Sequence, residues 1–179
     1  MIISRDRYLQ RLIAKKWNGK IKVITGIRRC GKSYLLNNLF VDYLVGEGVR
    51  SADIIMLALD EAVNAKYRNP LELDGHIRQL TSNKRHKYYV LLDEIQKVES
   101  IKNPFLPSGS GETIGFVDVL LGIMKLPNVD VYVTGSNSKM LSKDVVTEFR
   151  DRGDEIHICP LTFDEFYAAY QGEIRSIWV

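Results

Sequence analysis

Little in this sequence invites metal or redox chemistry. Its 179 residues include two cysteines and three histidines. Cys30 and Cys159 are far apart and lack the spacing of a redox or zinc motif, which suits a reducing compartment and supplies no reaction. His76, His86 and His157 are just as scattered. Long apolar runs are missing too. The opening MIISRDRYLQRLIAKKW carries charge throughout, without a signal-peptide core, and no later run approaches a membrane span. The expectation is a cytoplasmic chain with no membrane partner. Nor does one sign of charge dominate: 25 Lys and Arg face 22 Asp and Glu, a formal net charge of +3. That is short of the basic density that by itself argues for nucleic acid. Internal repeats and low-complexity tracts are absent. The remaining composition is that of an ordinary globular chain long enough for one core, so residues 1–179 read as a single domain.

Strand and helix patterns alternate along the chain. Tyr8, Leu9, Leu12 and Ile13 keep a helical spacing, giving a lead-in helix within residues 1–19. IKVIT (21–25) is a β-branched run, and KSYLLNNLFVDYLV after it returns to helical period before Gly46 and Gly48. DIIMLAL (53–59) and YYVLLDEI (88–95) are further apolar runs, separated by a helix starting near Pro70. Residues 99–115 are rich in Pro, Gly and Ser, show no period and read as a long mobile loop. FVDVLLGIMKL resumes a helix, VDVYVTGSNS is a fourth strand, and KMLSKDVVTEF is a helix. DEIHICPL is a fifth strand, and Thr162 with Glu165 forms a capping box for the last helix. Continuous apolar strands between helices predict an α/β fold with a parallel sheet covered on both faces.

The segment GIRRCGKSY holds the motif G-x-x-x-x-G-K-[ST] between a predicted strand and a predicted helix. Glycines let successive backbone N–H groups converge on a phosphate, and the helix N-terminus adds the positive end of its dipole. Gly26, Ile27, Arg28, Arg29, Cys30, Gly31, Lys32, Ser33 and Tyr34 are thus the candidate nucleotide-binding residues. Lys32 would reach the β- and γ-phosphates, and Ser33 would sit on Mg²⁺. YVLLDEI then exposes two acids where open α/β sheets bind ligands: Asp93 to hold hydrated Mg²⁺, and Glu94 to activate water. Adjacent acids of this kind favour hydrolysis over phosphoryl transfer. VYVTGSNS ends in Thr134, Ser136, Asn137 and Ser138, one of which, Ser136 among them, is the candidate γ-phosphate sensor, although Ser and Asn there also suit the cap of the next helix. Arg150 and Arg152 are either a transition-state guanidinium, often supplied by a neighbouring subunit, or a solvated cluster with Glu148, Asp151 and Asp154. The basic stretches RYLQRLIAKKWNGKIK and NKRHKYY leave nucleic acid open as a partner, against the plainer reading of a solvated helix face and a turn with buried tyrosines.

GIRRCGKS, VLLDEIQKV, VTGSNSKMLS and FRDRGDEIHICPLTFDEF together resemble a large prokaryotic family of AAA-type P-loop ATPases. In that family the ATPase core precedes a C-terminal domain with winged-helix and nuclease-like parts. The resemblance implies ATP and Mg²⁺ as ligands and a five-stranded sheet of order 5-1-4-3-2. It implies catalytic roles for Lys32, Glu94, Ser136 and Arg152, and a homo-oligomer or the C-terminal domain as neighbour. The sequence departs from the family at Asp151, which separates Arg150 from Arg152 where a glycine is usual. IRSIWV at the end leads us to expect the isolated core, with the C-terminal domain absent. A scaffold that binds ATP without useful hydrolysis is the remaining alternative.

Overall fold

The computed structural model describes residues 5–107, 109–135, 149 and 151–169. The elements in chain order are α1 (Asp6–Ala14), β1 (Ile21–Gly26) and α2 (Lys32–Tyr34), which runs through a π-helical stretch (Leu35–Phe40) into α3 (Val41–Gly46). Then come β2 (Ile54–Ala58), α4 (Pro70–Leu80), β3 (Tyr88–Asp93), a hairpin of β4 (Ile101–Lys102) and β5 (Thr113–Ile114), α5 (Phe116–Ile123), β6 (Val129–Thr134) and β7 (Gly153–Ile158). The last described helix, α6, is Phe163–Ala169.

Five strands form one sheet in the order β2-β3-β6-β1-β7, and every pairing is parallel. Read from the other edge, this is the expected succession; the strand numbers shift only because β4 and β5 intervene. Those two short strands correct the sequence reading of residues 99–115. Ile101 and Lys102 pair antiparallel with Ile114 and Thr113, and the Asn103 N–H donates to the Glu112 carbonyl at 2.9 Å. Two paired residues per strand are too few to leave an alternation visible in sequence.

The three inner strands β1, β3 and β6 are buried along their whole length, whereas the edges β2 and β7 include exposed positions. Continuous apolar runs are what a strand covered on both faces requires. Side-chain alternation sends Val90, Leu92, Val131 and Val133 to one face, with Leu73 and Ile77 of α4 and Leu120 and Ile123 of α5. Tyr89, Leu91 and Tyr132 go to the other, with Leu12 of α1 and Leu35, Leu36, Phe40 and Leu44 after the glycine-rich turn. Asn69 caps α4 by accepting the Leu71 N–H at 3.0 Å, with Pro70 in the first turn. Thr162 and Glu165 form the expected capping box, reciprocally bonded at 3.2 and 2.9 Å. Parallel strands place all their C-terminal ends on one edge, and there the turns after β1, β2 and β3 meet.

Candidate functional site

The turn from β1 to α2 is shaped by glycine where no other residue fits. Gly26 has φ of 151°, and a Cβ there would stand 2.5 Å from the Ile158 carbonyl oxygen and 2.7 Å from Cys30 Sγ. β1 and β7 therefore approach too closely at their C-terminal ends for a side chain. Gly31 follows at φ 91°, the left-handed conformation that frees the next residue to start a helix. Arg29 also takes positive φ, at 63°. Cys30 turns inward and is buried, so its thiol packs under the loop rather than facing a ligand.

The turn opens onto a cleft of about 510 Å³ lined by Arg28, Arg29, Gly31, Lys32, Ser33, Tyr34, Asp60, Glu94 and Lys97. Lys32 is buried, and its Nζ donates to the carbonyls of Gly26 and Ile27 at 3.1 and 2.9 Å. These are loop carbonyls, so the ammonium is held at the mouth of the turn it is expected to serve. Four cations against two carboxylates give the lining an excess of positive charge, which suits an anion.

Asp93 closes β3 and is buried. It accepts hydrogen bonds from the Thr134 hydroxyl and, at 3.3 Å, from Asn37 Nδ2. Asn37 lies four residues after Ser33, on the same face of the helix, which sets Asp93 against the turn carrying Lys32 and Ser33. Glu94 takes the left-handed conformation, φ 55°, and this turns its side chain away from Asp93 and into the cleft. A non-glycine residue held there costs on the order of 1 kcal/mol or more. The Thr134 hydroxyl also accepts the Glu94 N–H at 3.0 Å, and Gln96 donates to the Glu94 carboxylate. One buried threonine therefore orients both acids.

The structure thus brings Arg28, Arg29, Gly31, Lys32, Ser33, Tyr34 and Glu94 to one cleft and Asp93 to its wall. Gly26 and Ile27 contribute carbonyls to Lys32. Ser136, Asn137, Ser138, Arg150 and residues 139–148 of the helix expected at 139–149 lie outside the described residues. Arg152 is not brought to the cleft. It precedes Gly153, which pairs with Ile21 at the start of β1, whereas the glycine-rich turn follows Gly26 at its end. Five strand steps separate those positions, roughly 17 Å at about 3.3 Å per residue. Sequence reasoning missed Asn37, Asp60 and Lys97. Asp60 follows the β2 run, so the convergence of strand ends was the signal available for it; Asn37 carries none without the fold. Tyr88 and Tyr89 of NKRHKYY are core residues, each 6 % exposed, as in the plainer reading of that stretch as a turn with buried tyrosines.

The donor set fits a nucleotide with Mg²⁺. Among the described residues no cluster of three His, Cys, Asp or Glu could hold a metal alone; an ion at Ser33 and Asp93 would be shared between one hydroxyl, one carboxylate and substrate phosphates. Asp93 is a buried carboxylate with neutral hydrogen-bond donors and no cationic side chain within 4.0 Å among the described residues. No described helix is long and apolar enough to cross a membrane.

Comparison with known proteins agrees with this geometry. An uncharacterized protein of Haemophilus influenzae is 34% identical over 175 residues, covering 98% of this chain and 40% of its own length. Another, from Methanocaldococcus jannaschii, is 30% identical over 169 residues, covering 92% of this chain and 31% of the relative. The chain therefore spans less than half the length of these curated relatives. Among solved structures, a DNA polymerase III gamma subunit-related protein of Thermotoga maritima superposes with a TM-score of 0.55 at 12% identity, over 96% of this chain and 51% of that one. C. elegans PCH-2 gives 0.52 at 20% identity, over 86% and 40%. At these identities the likeness is one of fold. The family model described as AAA domain matches residues 18–167, and with the glycine-rich turn and paired acids in place, the chain belongs to that family and carries a nucleotide-binding domain of the AAA type.

Proposed function

We propose that this chain is the Mg²⁺-dependent ATP-hydrolysing core of a larger switch protein. The observation that carries the reading is Asp93, a buried carboxylate bonded to neutral donors beside Lys32 and Ser33, with Glu94 separately aimed into the same cleft. A buried carboxylate is costly without a compensating cation. Mg²⁺ held by Ser33 and Asp93 would supply that charge and neutralise phosphate oxygens. Lys32 exchanges its loop carbonyls for phosphate oxygens, and the N–H groups of the turn face the same anion. Glu94 accepts the proton of the attacking water as the bond to the terminal phosphorus forms and the bond to the ADP oxygen breaks. Arg152, at the far edge of the sheet, serves the cleft of a neighbouring copy, and Ser136 reports the terminal phosphate.

The test is Mg²⁺-dependent phosphate release from ATP, with binding measured alongside. Glu94→Gln keeps ATP affinity and lowers turnover by about 10² to 10⁴, while Lys32→Ala loses affinity. Turnover by Glu94→Gln at the wild-type rate removes Glu94 from the reaction, and binding without turnover in the unaltered chain favours the scaffold reading. A second reading, stimulation by nucleic acid, is favoured by exposed Lys84, Arg85, Lys87 and Lys125 at the edge opposite the cleft. It requires oligonucleotide binding that weakens steeply with salt.

A further inference from the structure

Among the described residues Arg5 is the arginine that the fold buries. It immediately precedes α1, is 4 % exposed, and touches three separate parts of the chain. Its Nη1 donates to the Cys30 carbonyl inside the glycine-rich turn at 3.2 Å. Its Nη2 donates to the Cys159 carbonyl just past β7 at 2.7 Å. Its Nε lies 3.2 Å from Glu165 Oε1 on α6. One helical turn further along α1, the Tyr8 hydroxyl accepts the Cys159 N–H at 3.2 Å, so both backbone groups of Cys159 are held by the same segment.

The contact in the turn has a direct consequence for phosphate. In a trans peptide the carbonyl and the following N–H point to opposite sides. Holding the Cys30 carbonyl toward α1 and β7 therefore turns the Gly31 N–H the other way, toward the cleft that Gly31 lines. Gly31 also sits at φ 91°, so without a fixed carbonyl this peptide has an accessible range of orientations. The contact with α6 is of a different kind. The Nε–H lies close to Glu165 but makes no aligned hydrogen bond, and Nε is a buried polar atom without one. Such a group carries a desolvation cost, which a small shift of α6 relieves by bringing Glu165 into line.

We propose that Arg5 is a positioning residue that sets the Cys30–Gly31 peptide for phosphate and ties that setting to the position of α6, so that nucleotide and α6 influence one another. The phosphate half rests on the ATPase reading; the tether itself does not. Because coupling between two sites is reciprocal, loosening α6 weakens nucleotide binding, and nucleotide quietens α6.

The experiment compares the unaltered chain with Arg5→Lys and Glu165→Gln. Lysine keeps the charge but lacks the planar fork needed to hold two carbonyls at once, and glutamine keeps the acceptor for the Thr162 cap while removing the ionic contact at a partly exposed site. Amide hydrogen exchange without nucleotide is read first. In Arg5→Lys residues 26–33 and 162–169 exchange faster together; in Glu165→Gln the faster exchange begins at 162–169 and extends to the loop. Normal exchange at either segment in Arg5→Lys overturns the tether, and this outcome does not depend on ATP. ATP affinity is read second. We expect about a tenfold loss for Arg5→Lys and about threefold for Glu165→Gln, and in both variants ATP no longer slows exchange in 162–169. Unchanged affinity in Arg5→Lys overturns its role toward phosphate. An unaltered chain that fails to bind ATP overturns the ATPase reading and the phosphate half with it, while the exchange result still decides the tether. Should Arg5→Lys fail to fold, Glu165→Gln decides alone: wild-type loop exchange with unchanged affinity overturns the coupling.

Discussion

Two carboxylates are buried on the same face of this sheet, one near each end, and they are held in opposite ways. Asp130, second residue of β6, pairs with buried Lys22 of β1 and also accepts the Trp17 N–H and the Tyr132 hydroxyl, at 2.9 and 2.8 Å. Asp93, last residue of β3, has a hydroxyl and an amide. At the Asp130 end the protein supplies the counter-charge itself. Burial pushes the Lys22 ammonium below its ordinary pKa while the hydrogen bond and charge of Asp130 work the other way. Burial also raises the Tyr132 phenol, helped by the Asp130 charge. At the Asp93 end the hydrogen bonds are made but the charge is left for something else to meet. The difference separates a carboxylate that holds the fold together from one that the fold holds ready.

Removing one partner from each end tests that distinction most severely. Asp130→Ala leaves the Lys22 ammonium buried without a counter-charge, and we expect urea or thermal unfolding to show a loss of about 3–5 kcal/mol. Asp93→Asn keeps the shape, removes an uncompensated charge, and should cost no more than about 1 kcal/mol while abolishing the response of ATP turnover to Mg²⁺. Equal destabilisation by the two substitutions would erase the contrast.

The glycines at the two ends of the β1-β7 pair sharpen it. Gly26 at the cleft end has positive φ and would drive a Cβ into the Ile158 backbone, so Gly26→Ala should lose about 1–3 kcal/mol. At the other end, a Cβ on Gly153 meets its nearest atom, Phe149 Cβ, at 3.4 Å, and Gly153→Ala should stay within about 1 kcal/mol of the unaltered chain. Unfolding curves of the two variants settle the point; a tolerant Gly26 would mean that the close approach of β7 to the loop is not needed.

How far the sequence discloses this follows from where each signal resides. Strand, turn and helix around Gly26–Ser33 are contiguous, so the motif and its context can be read together, and the same holds for Asp93 and Glu94 at the end of an unbroken apolar run. The wide helical and β-branched periods gave the class of fold and its five sheet strands. What could not be read is whatever depends on chain reversal. Asn37 reaches Asp93 across 56 residues, Thr134 reaches both acids across 40 or 41, and Arg5 reaches Cys159 across 154. None of these has a local pattern. The β4-β5 hairpin escaped for another reason, since each of its strands spans a single period of alternation and repeats nothing.

Arg152 offers a kinetic way to separate the ends. It lies about a strand length from the cleft of its own chain, so Arg152→Ala should leave ATP affinity unchanged. If a neighbouring copy uses it, turnover per chain in the unaltered protein rises with protein concentration and the variant loses at least about tenfold of that rise. A loss of the same size at high dilution would place Arg152 in its own cleft, against the sheet register.

The smallest effect lies beside it, at Asp154. Burial alone would raise this carboxyl, but hydrogen bonds from Lys15 and Asn18 and the charges of Lys15 and Lys20 outweigh it and hold the pKa below the ordinary carboxylate value. A group whose pKa is lower in the folded than in the unfolded chain contributes stability above its unfolded pKa, about 3.9, and that contribution fades as pH falls through the folded value. Asp154→Asn should therefore be less stable than the unaltered chain at neutral pH, by less than about 1 kcal/mol for contacts so near solvent, and added salt should narrow the gap. The two unfolding curves should converge in acid. A gap that persists below the folded pKa would mean that Asp154 acts through its shape and hydrogen bonds, leaving Lys22 and Asp130 as the ion pair that matters at this end of the sheet.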